Sequence, residues 1–369
     1  MSTAPHNKLI MNGRKVFEEI KEAGFDCALF LDENSQYYLC DFYTTDGAVI
    51  VSGSETALLT DSRYIEAAEN DKKNGKLSED VVPYLFKKGL YADIADYFAS
   101  AGAKRVCLDP ALISVKQLQT LQSRCEGVEF GYMSDICLKH RQVKTEAEVA
   151  KIRKAQSITD AAFSHILGFI NEGRTELEVA AELEYFMRSH GASGLAFETI
   201  AVSGKNSSLP HGVPTEAKLT MNSFFTMDYG AKYSGYCSDM TRTVVLGKAD
   251  EEMKRIYNTV LTAQSEAMKY IRAGISGKEA DKIARDVITD AGYGQYFGHS
   301  LGHSLGLEIH ELPSASPKSD AILVAGNIVT VEPGIYIPGK YGVRIENMVL
   351  VTENGCENLT DSDRSLIEL

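Results

Sequence analysis

Apolar positions in the first third of the chain switch between helical and strand spacing. Over residues 13–23, Val16, Phe17, Ile20 and Ala23 recur at helical spacing, and Gly24 follows as a stop. Residues 27–31 form a short apolar run and read as a strand. Residues 48–51 and 56–59 predict a hairpin about Ser52, Gly53 and Ser54. A helix is expected over 63–70 with Asp61 as its N-cap, and further helices over 91–100 and 115–123. Residues 105–108 and 128–132 read as strands. Strands interleaved with helices imply an α/β domain with a largely covered sheet. Beyond it, Thr145 is placed to cap a long helix reaching about Gly168, with Glu146 and Glu148 in the first turn.

The remaining two thirds contain a repeat. Residues 170–192 align without a gap to residues 271–293, matching Gly173 to Gly274, Thr175 to Ser276, Glu178 to Glu279 and Gly191 to Gly292. Each copy reads as a helix end, a turn, a hydroxyl N-cap and an amphipathic helix that stops at glycine. Any two helix–turn–helix units share this grammar. The sequel separates these two from the general case, because each leads into strands that carry paired acids. A duplicated half with a pseudo-two-fold axis is expected, with a site between the halves.

In the first half, residues 224–229 and 236–246 read as strands joined by a turn over 231–235, which sets Asp228 opposite Asp239. In the second, residues 327–332 and 343–351 do the same for Glu332 and Glu346, with Arg344 on the face of Glu346. Opposed side chains on paired strands lie about 4.5–5.5 Å apart at Cβ. Carboxylates that close repel unless a cation lies between them, and strand interiors are poor places for aspartate. The plainer alternatives are acids on the wet face of a hairpin and a simple Arg344–Glu346 ion pair.

Between these pairs runs Gly-His-Ser-Leu-Gly-His-Ser-Leu-Gly-Leu-Glu-Ile-His-Glu over 298–311. It holds three of the eight histidines, His299, His303 and His310, among Gly298, Gly302 and Gly306. Imidazole is a common metal ligand and proton shuttle. Four carboxylates and one imidazole make a hard, oxygen-rich donor set that suits Mn²⁺, Co²⁺, Fe²⁺ or Zn²⁺. Such a set can hold two ions about 3.5–4 Å apart and activate water between them. The expected chemistry is metal-assisted hydrolysis of an amide or ester. Tyr229, Tyr236 and Phe297 are candidate walls of a substrate pocket, although aromatics beside strands are more often core.

Composition narrows the setting. The 369 residues exceed one ordinary core, and two domains are expected, 1–137 and 138–369, with the change of character over 135–143. The net charge of −13 argues against a nucleic-acid partner. No apolar run approaches the roughly 18–20 residues that span a bilayer. Residues 1–8 lack the apolar core of a secretory signal. Seven scattered cysteines without a C-x-x-C pair fit free thiols in a reducing cytoplasm. The first third carries no paired carboxylates or metal spacing, so scaffold, oligomer contact or active-site wall is its expected role.

The ordered series Asp228-Tyr-Gly, Ser-Asp239-Met-Thr-Arg-Thr, Gly302-His-x-x-Gly-Leu-Glu-x-His-Glu, Val-Glu332-Pro-Gly and Arg344-Ile-Glu346 resembles the pita-bread metallopeptidases. Within them it is similar to the Xaa-Pro peptidases, aminopeptidase P and prolidase. The likeness covers about residues 143–360. A looser one, including Thr-Asp-Ser-Arg-Tyr from Thr60, links the first domain to that branch's smaller α/β domain. The resemblance implies an α/β fold, with a smaller N-terminal creatinase-like domain and a duplicated pita-bread catalytic domain. It implies that Asp228, Asp239, His303, Glu332 and Glu346 hold two divalent ions, Mn²⁺ first, then Co²⁺ or Zn²⁺. His211 and His310 would flank the substrate and stabilise the oxyanion. His299 would shuttle protons or support the site from behind, Arg344 would orient Glu346, and Glu332 would move a proton to the leaving nitrogen. Peptides with proline in second position are the implied substrates, and a homodimer the implied assembly. Ser304 and Asn347 depart from the family's common glycine and acid at those positions without removing a ligand. The reading leans to aminopeptidase over dipeptidase. A creatinase-like metal-free hydrolase or a binding module would not need the full ligand set, and methionine aminopeptidase usually lacks the first domain.

Overall fold

The structure, a computed structural model, describes residues 12–369. The reading of residues 1–8 lies outside that range. The chain divides into two compact units between His140 and Arg141.

In the first unit, α1 (Asn12–Glu22) is followed by β1 (Cys27–Phe30), α2 (Glu33–Cys40), β2 (Gly47–Ser52), β3 (Thr56–Thr60), α3 (Ile65–Lys73) and β4 (Val81–Leu85). Then come α4 (Leu90–Ala101), β5 (Arg105–Leu108), α5 (Val115–Arg124), β6 (Glu129–Tyr132) and α6 (Ile136–Gln142), which crosses the division. The strands form one mixed sheet in the order β4-β3-β2-β1-β5-β6. Alternate apolar residues of its central strands, among them Leu29, Ile50 and Leu59, pack on Ile94, Phe98 and Leu121 from the helices. The pattern missed α2, β4 and α6. Helix α2 reads as polar because Ser35 and Gln36 are buried in it, and Asp32 caps it by accepting from the Ser35 N–H at 2.8 Å. Asp61 is not an N-cap. Helix α3 starts later, after Tyr64, and the Asp61 carboxylate instead accepts from the Arg63 N–H at 2.8 Å.

The second unit opens with α7 (Glu146–Ile166), α8 (Glu176–Ser189), β7 (Gly194–Leu195), β8 (Ile200–Ser203), β9 (Ser223–Tyr229), β10 (Ala231–Tyr233), β11 (Tyr236–Cys237) and β12 (Met240–Leu246). It continues with α9 (Glu251–Tyr270), α10 (Gly277–Asp290), β13 (Gly302–Ser304), β14 (Glu311–Ala315), β15 (Ile328–Val331), β16 (Gly334–Ile337), β17 (Tyr341–Arg344), β18 (Asn347–Val351) and β19 (Cys356–Asn358). The repeat is structural. Thr175 and Ser276 both cap their helices through capping boxes, with Glu178 and Glu279 as the returning acids. Each cap residue also makes a lone β-bridge to a later strap, to Lys218 in one half and Ile322 in the other. Each half has its own apolar core. One joins α7 and α8 to β9 and β12 through Phe163, Leu183, Phe225 and Met227. The other joins α9 and α10 to β15 and β18 through Ile256, Val260, Ile288, Val329 and Val349.

Two expected strands are interrupted, each where an acid sits. The return over 236–246 breaks at Ser238 and Asp239, so Asp228 pairs with Thr241, and Asp239 lies one step beyond the last rung, Met240 with Tyr229. Gly230 permits the crossing, because a Cβ there would sit 1.9 Å from the Ser238 carbonyl oxygen. The two aspartates are therefore diagonal neighbours, not an opposed pair. The return over 343–351 breaks at Ile345 and Glu346. Its two parts keep one register, Gly334 with Arg344 and Val331 with Asn347, which leaves Glu332 across from Glu346. The Glu346 N–H turns out of its own sheet and donates to the Thr241 carbonyl of β12 at 3.1 Å.

Candidate metal centre

The strand ends of both halves meet at one cavity of about 650 Å³. Asp228, Asp239, His303, Glu332 and Glu346 all line it, together with His211, His299, His310 and Arg344. Ligand atoms of Asp239, His303 and Glu346 lie within 4.8 Å of one another. His303 Nε2 is 3.6 Å from Asp239 Oδ2 and 3.4 Å from Glu332 Oε1. Gly302 brings this strand against β15, since a Cβ there would lie 2.0 Å from the Thr330 carbonyl oxygen.

The electrostatics are those of a cation site. Burial and then the neighbouring His310 hold the His303 pKa down to about 4, so the ring is neutral and its contacts with the acids are not ion pairs. Its Nδ1 lies 3.2 Å from the Ser304 carbonyl, which places the proton there and turns the Nε2 lone pair toward the acids. Burial raises Glu332 to about 8. Asp239 and Glu346 are pushed well above the ordinary range by burial, with repulsion from neighbouring acids adding to it. Asp228 Oδ1 and Glu346 Oε1 are buried and take no hydrogen bond. Two orphaned carboxylate oxygens beside a neutral imidazole fit divalent cations.

The other oxygens are oriented by the protein. Asp228 Oδ2 accepts from Arg344 Nη2 at 2.6 Å, and Glu346 Oε2 accepts from the Thr241 hydroxyl at 2.7 Å. Arg344 therefore binds Asp228, and it reaches Glu346 only through Thr241, to whose hydroxyl its Nε donates at 2.9 Å. Its Nη1 donates to the Tyr336 oxygen at 2.7 Å and to the Pro210 carbonyl at 3.1 Å. The Tyr336 hydroxyl is left to donate to His299 Nε2, 2.9 Å away, while His299 Nδ1 lies 2.8 Å from the Ser300 carbonyl. Both His299 nitrogens are thus engaged within the protein, and burial holds the ring neutral, with a pKa of about 4. Sequence reasoning missed Thr241 and Tyr336. The first stands inside the Asp239 motif, but nothing in the pattern marks its hydroxyl as the link between Arg344 and Glu346.

His211 and His310 open onto the cavity, and the His310 ring meets His303 edge-on at 4.4 Å between centroids. The apolar wall comes from Phe197, Ile200, Val213, Pro214 and Ile309. Tyr229, Tyr236 and Phe297 are buried and do not line it. The Tyr229 hydroxyl donates to the Thr159 carbonyl, Tyr236 bonds Glu148, and Phe297 packs under Arg285. The two departures from the common motif are filled by hydrogen bonds. Ser304 donates to the Ile328 carbonyl at 2.7 Å, and Asn347 Oδ1 accepts from Arg242 at 2.9 Å. All seven cysteines are free thiols, and no helix among the described residues is long and apolar enough to cross a membrane.

A pH-dependent metal effect follows from these shifts. Acids whose folded pKa is raised contribute stability that is full below their unfolded value and is lost as pH rises through the folded one. For Glu332 that window runs from about 4.5 to about 8. The metal-free protein is expected to lose stability across it. Added Mn²⁺ should raise the melting temperature more at pH 8 than at pH 5, as scanning calorimetry would register. An equal gain at both values would contradict a cation among these acids.

The comparisons with known proteins show the family. Residues 150–353 match the model of metallopeptidase family M24, and residues 14–143 that of the creatinase/prolidase N-terminal domain. An Xaa-Pro dipeptidase of Pyrococcus horikoshii is 37% identical over 97% of this chain and 99% of its own. The structure of an Xaa-Pro dipeptidase from Bacillus anthracis superposes with a TM-score of 0.90 at 40% identity, covering 97% of this chain and 99% of the other. An X-Pro aminopeptidase from Thermotoga maritima superposes with a TM-score of 0.89 at 36% identity and the same coverage. The chain belongs to metallopeptidase family M24, in the Xaa-Pro branch whose members carry a creatinase/prolidase-type domain ahead of a pita-bread domain.

Proposed function

We propose that this protein is an Xaa-Pro dipeptidase, a prolidase, that holds two divalent cations on Asp228, Asp239, His303, Glu332 and Glu346. The observation that carries the metal reading is the convergence of a neutral His303 and four buried or half-buried acids on one cavity, with two carboxylate oxygens otherwise unbonded. The oxygen-rich donor set favours Mn²⁺ or Co²⁺. When bound, the cations supply Lewis acidity and make water a nucleophile near neutral pH.

The protein's own groups do the rest. Glu332 moves a proton from the attacking water to the leaving prolyl nitrogen. His310 and His211 face the cavity and donate to the oxyanion that develops on the scissile carbonyl. Arg344 fixes Asp228 through its 2.6 Å bond, and Thr241 fixes Glu346. Phe197, Ile200, Val213, Pro214 and Ile309 form an apolar wall against which a pyrrolidine ring can pack.

The relatives named Xaa-Pro dipeptidase support the dipeptidase reading at least as well as the aminopeptidase reading to which the motifs lean. The Thermotoga maritima structure keeps the second reading open. A kinetic comparison separates them. With Mn²⁺ present, kcat/KM for an Xaa-Pro dipeptide should exceed that for the same peptide extended by one residue at its C-terminus. The reverse order would make the protein an aminopeptidase, and hydrolysis of neither would overturn both readings.

A further inference from the structure

The cavity's two exposed histidines are held differently. The His310 ring packs against His303, whereas among the described residues the His211 ring bonds nothing. Its place depends on the backbone strap that carries it, residues 203–215. That strap is tied down by a fully buried acid outside the cavity, Glu176, the first residue of α8. The carboxylate accepts from the Ser203 N–H at 2.7 Å, from Asn206 Nδ2 at 3.1 and 3.2 Å, and from the Thr215 N–H and hydroxyl at 3.0 and 2.6 Å. No cation bonds Glu176 among the described residues. Its charge is met by these donors and by the positive end of α8. Between the ties, the Leu209 and Gly212 N–H groups close turns onto Asn206 and Leu209, and the Pro210 carbonyl accepts from Arg344. His211 thus lies between an anchor on Arg344 and an anchor on Glu176. The second half has no counterpart, because glycine stands at the matching position, Gly277.

We propose that Glu176 is a positioning residue for His211, fixing the strap so that the imidazole meets the reacting carbonyl. The proposal rests on the Xaa-Pro hydrolase reading for its kinetic consequence, but not for its structural one. Glutamine at 176 would set an NH₂ group against backbone N–H donors, so at least one tie is lost. A displacement near 1 Å of a group that stabilises the transition state costs about 100-fold in rate.

The test is Glu176→Gln in the Mn²⁺-loaded full chain. Expected are a fall of about 100-fold in kcat with a much smaller change in KM, unchanged metal content, and faster hydrogen exchange at the Ser203 and Thr215 amides. In a His211→Ala background the same substitution should add almost nothing. Losses that multiply across the two sites would overturn the proposal, as would an unchanged kcat with faster exchange. If Glu176→Gln does not fold, Thr215→Val removes one donor from the same carboxylate and should give a smaller fall in kcat that likewise vanishes without His211; a fall that persists counts against the idea. The ring resonances of His211 report on the tie without turnover. They should shift or broaden in either variant, and wild-type resonances would refute the proposal. A protein inactive on every Xaa-Pro peptide would sink the functional reading while this signal still decided the role of Glu176.

Discussion

Glu346→Gln is expected to remove a metal ion and nearly all peptidase activity while making the metal-free protein more stable at neutral pH. Glu346 is 1% exposed, its Oε2 is held by Thr241, and its Oε1 bonds nothing within the protein. The amide keeps the shape, takes away a charge and offers two hydrogens where a ligand oxygen is needed. Replacing a residue that only orients a ligand typically costs 10–100-fold, roughly what Thr241→Val should cost here. Loss of the ligand itself should exceed about 100-fold. The stability change has the opposite sign because burial and mutual repulsion disfavour the charged acids, and the substitution deletes one of them. Metal analysis, turnover and urea denaturation of the metal-free variant test all three. Full metal content with lowered stability would make Glu346 a structural acid.

Glu311→Ala is expected to destabilise the second unit by about 3–5 kcal/mol, the usual cost of leaving buried charges without their partner. Glu311 follows His310 and binds two buried cations. Arg141 bonds its Oε1, and Lys144 Nζ lies 3.2 Å from its Oε2 and from the Ser304 hydroxyl. Burial works against ionisation of Glu311, but Lys144 and Arg141 outweigh it and hold the acid below its ordinary pKa. Its contribution to stability is therefore present above the ordinary glutamate value and lost as pH falls through the depressed one. The bonds join the chain just ahead of α7 to the segment 304–311 behind His303. Urea denaturation at pH 7 measures the effect. A loss under about 1 kcal/mol would mean that the two cations find other partners.

What was legible in the sequence, and what was not, divides along physical lines. Apolar periodicity and hydroxyl caps report local choices, and they located α1, α7 and the repeated pair α8 and α10, whose capping boxes need only residues three apart. The ordered motifs pointed to the acids and to His303 because metal chemistry constrains residue type as well as spacing. Contacts across long stretches of chain left no such trace. Arg344 was expected on Glu346 because alternation along one strand puts them on one face. The break at Ile345 and Glu346 turns the acid toward β12, and the arginine is taken by Asp228 from the other half. Nothing in the sequence marks Glu176, since helix starts favour carboxylates whether or not a loop folds back onto them. Helix α2 was hard to see because Ser35 and Gln36 share its buried face with Tyr38, Leu39 and Cys40 and break the apolar spacing.

The crossed backbone at Glu346 has a bearing on how the chain assembles. Its N–H is held by Thr241 of the first half, and its carbonyl accepts from Arg242 Nη1 at 2.5 Å. The strand ladders close within each half, but among the described residues the backbone of Glu346 is bonded only by the other half, so its hydrogen bonds form once the two halves meet. Partners this distant in the chain meet late and slowly. The acids arrive at that closing step already charged at neutral pH, which makes the encounter of the halves the moment at which a dissolved divalent ion has the most to offer the folding chain.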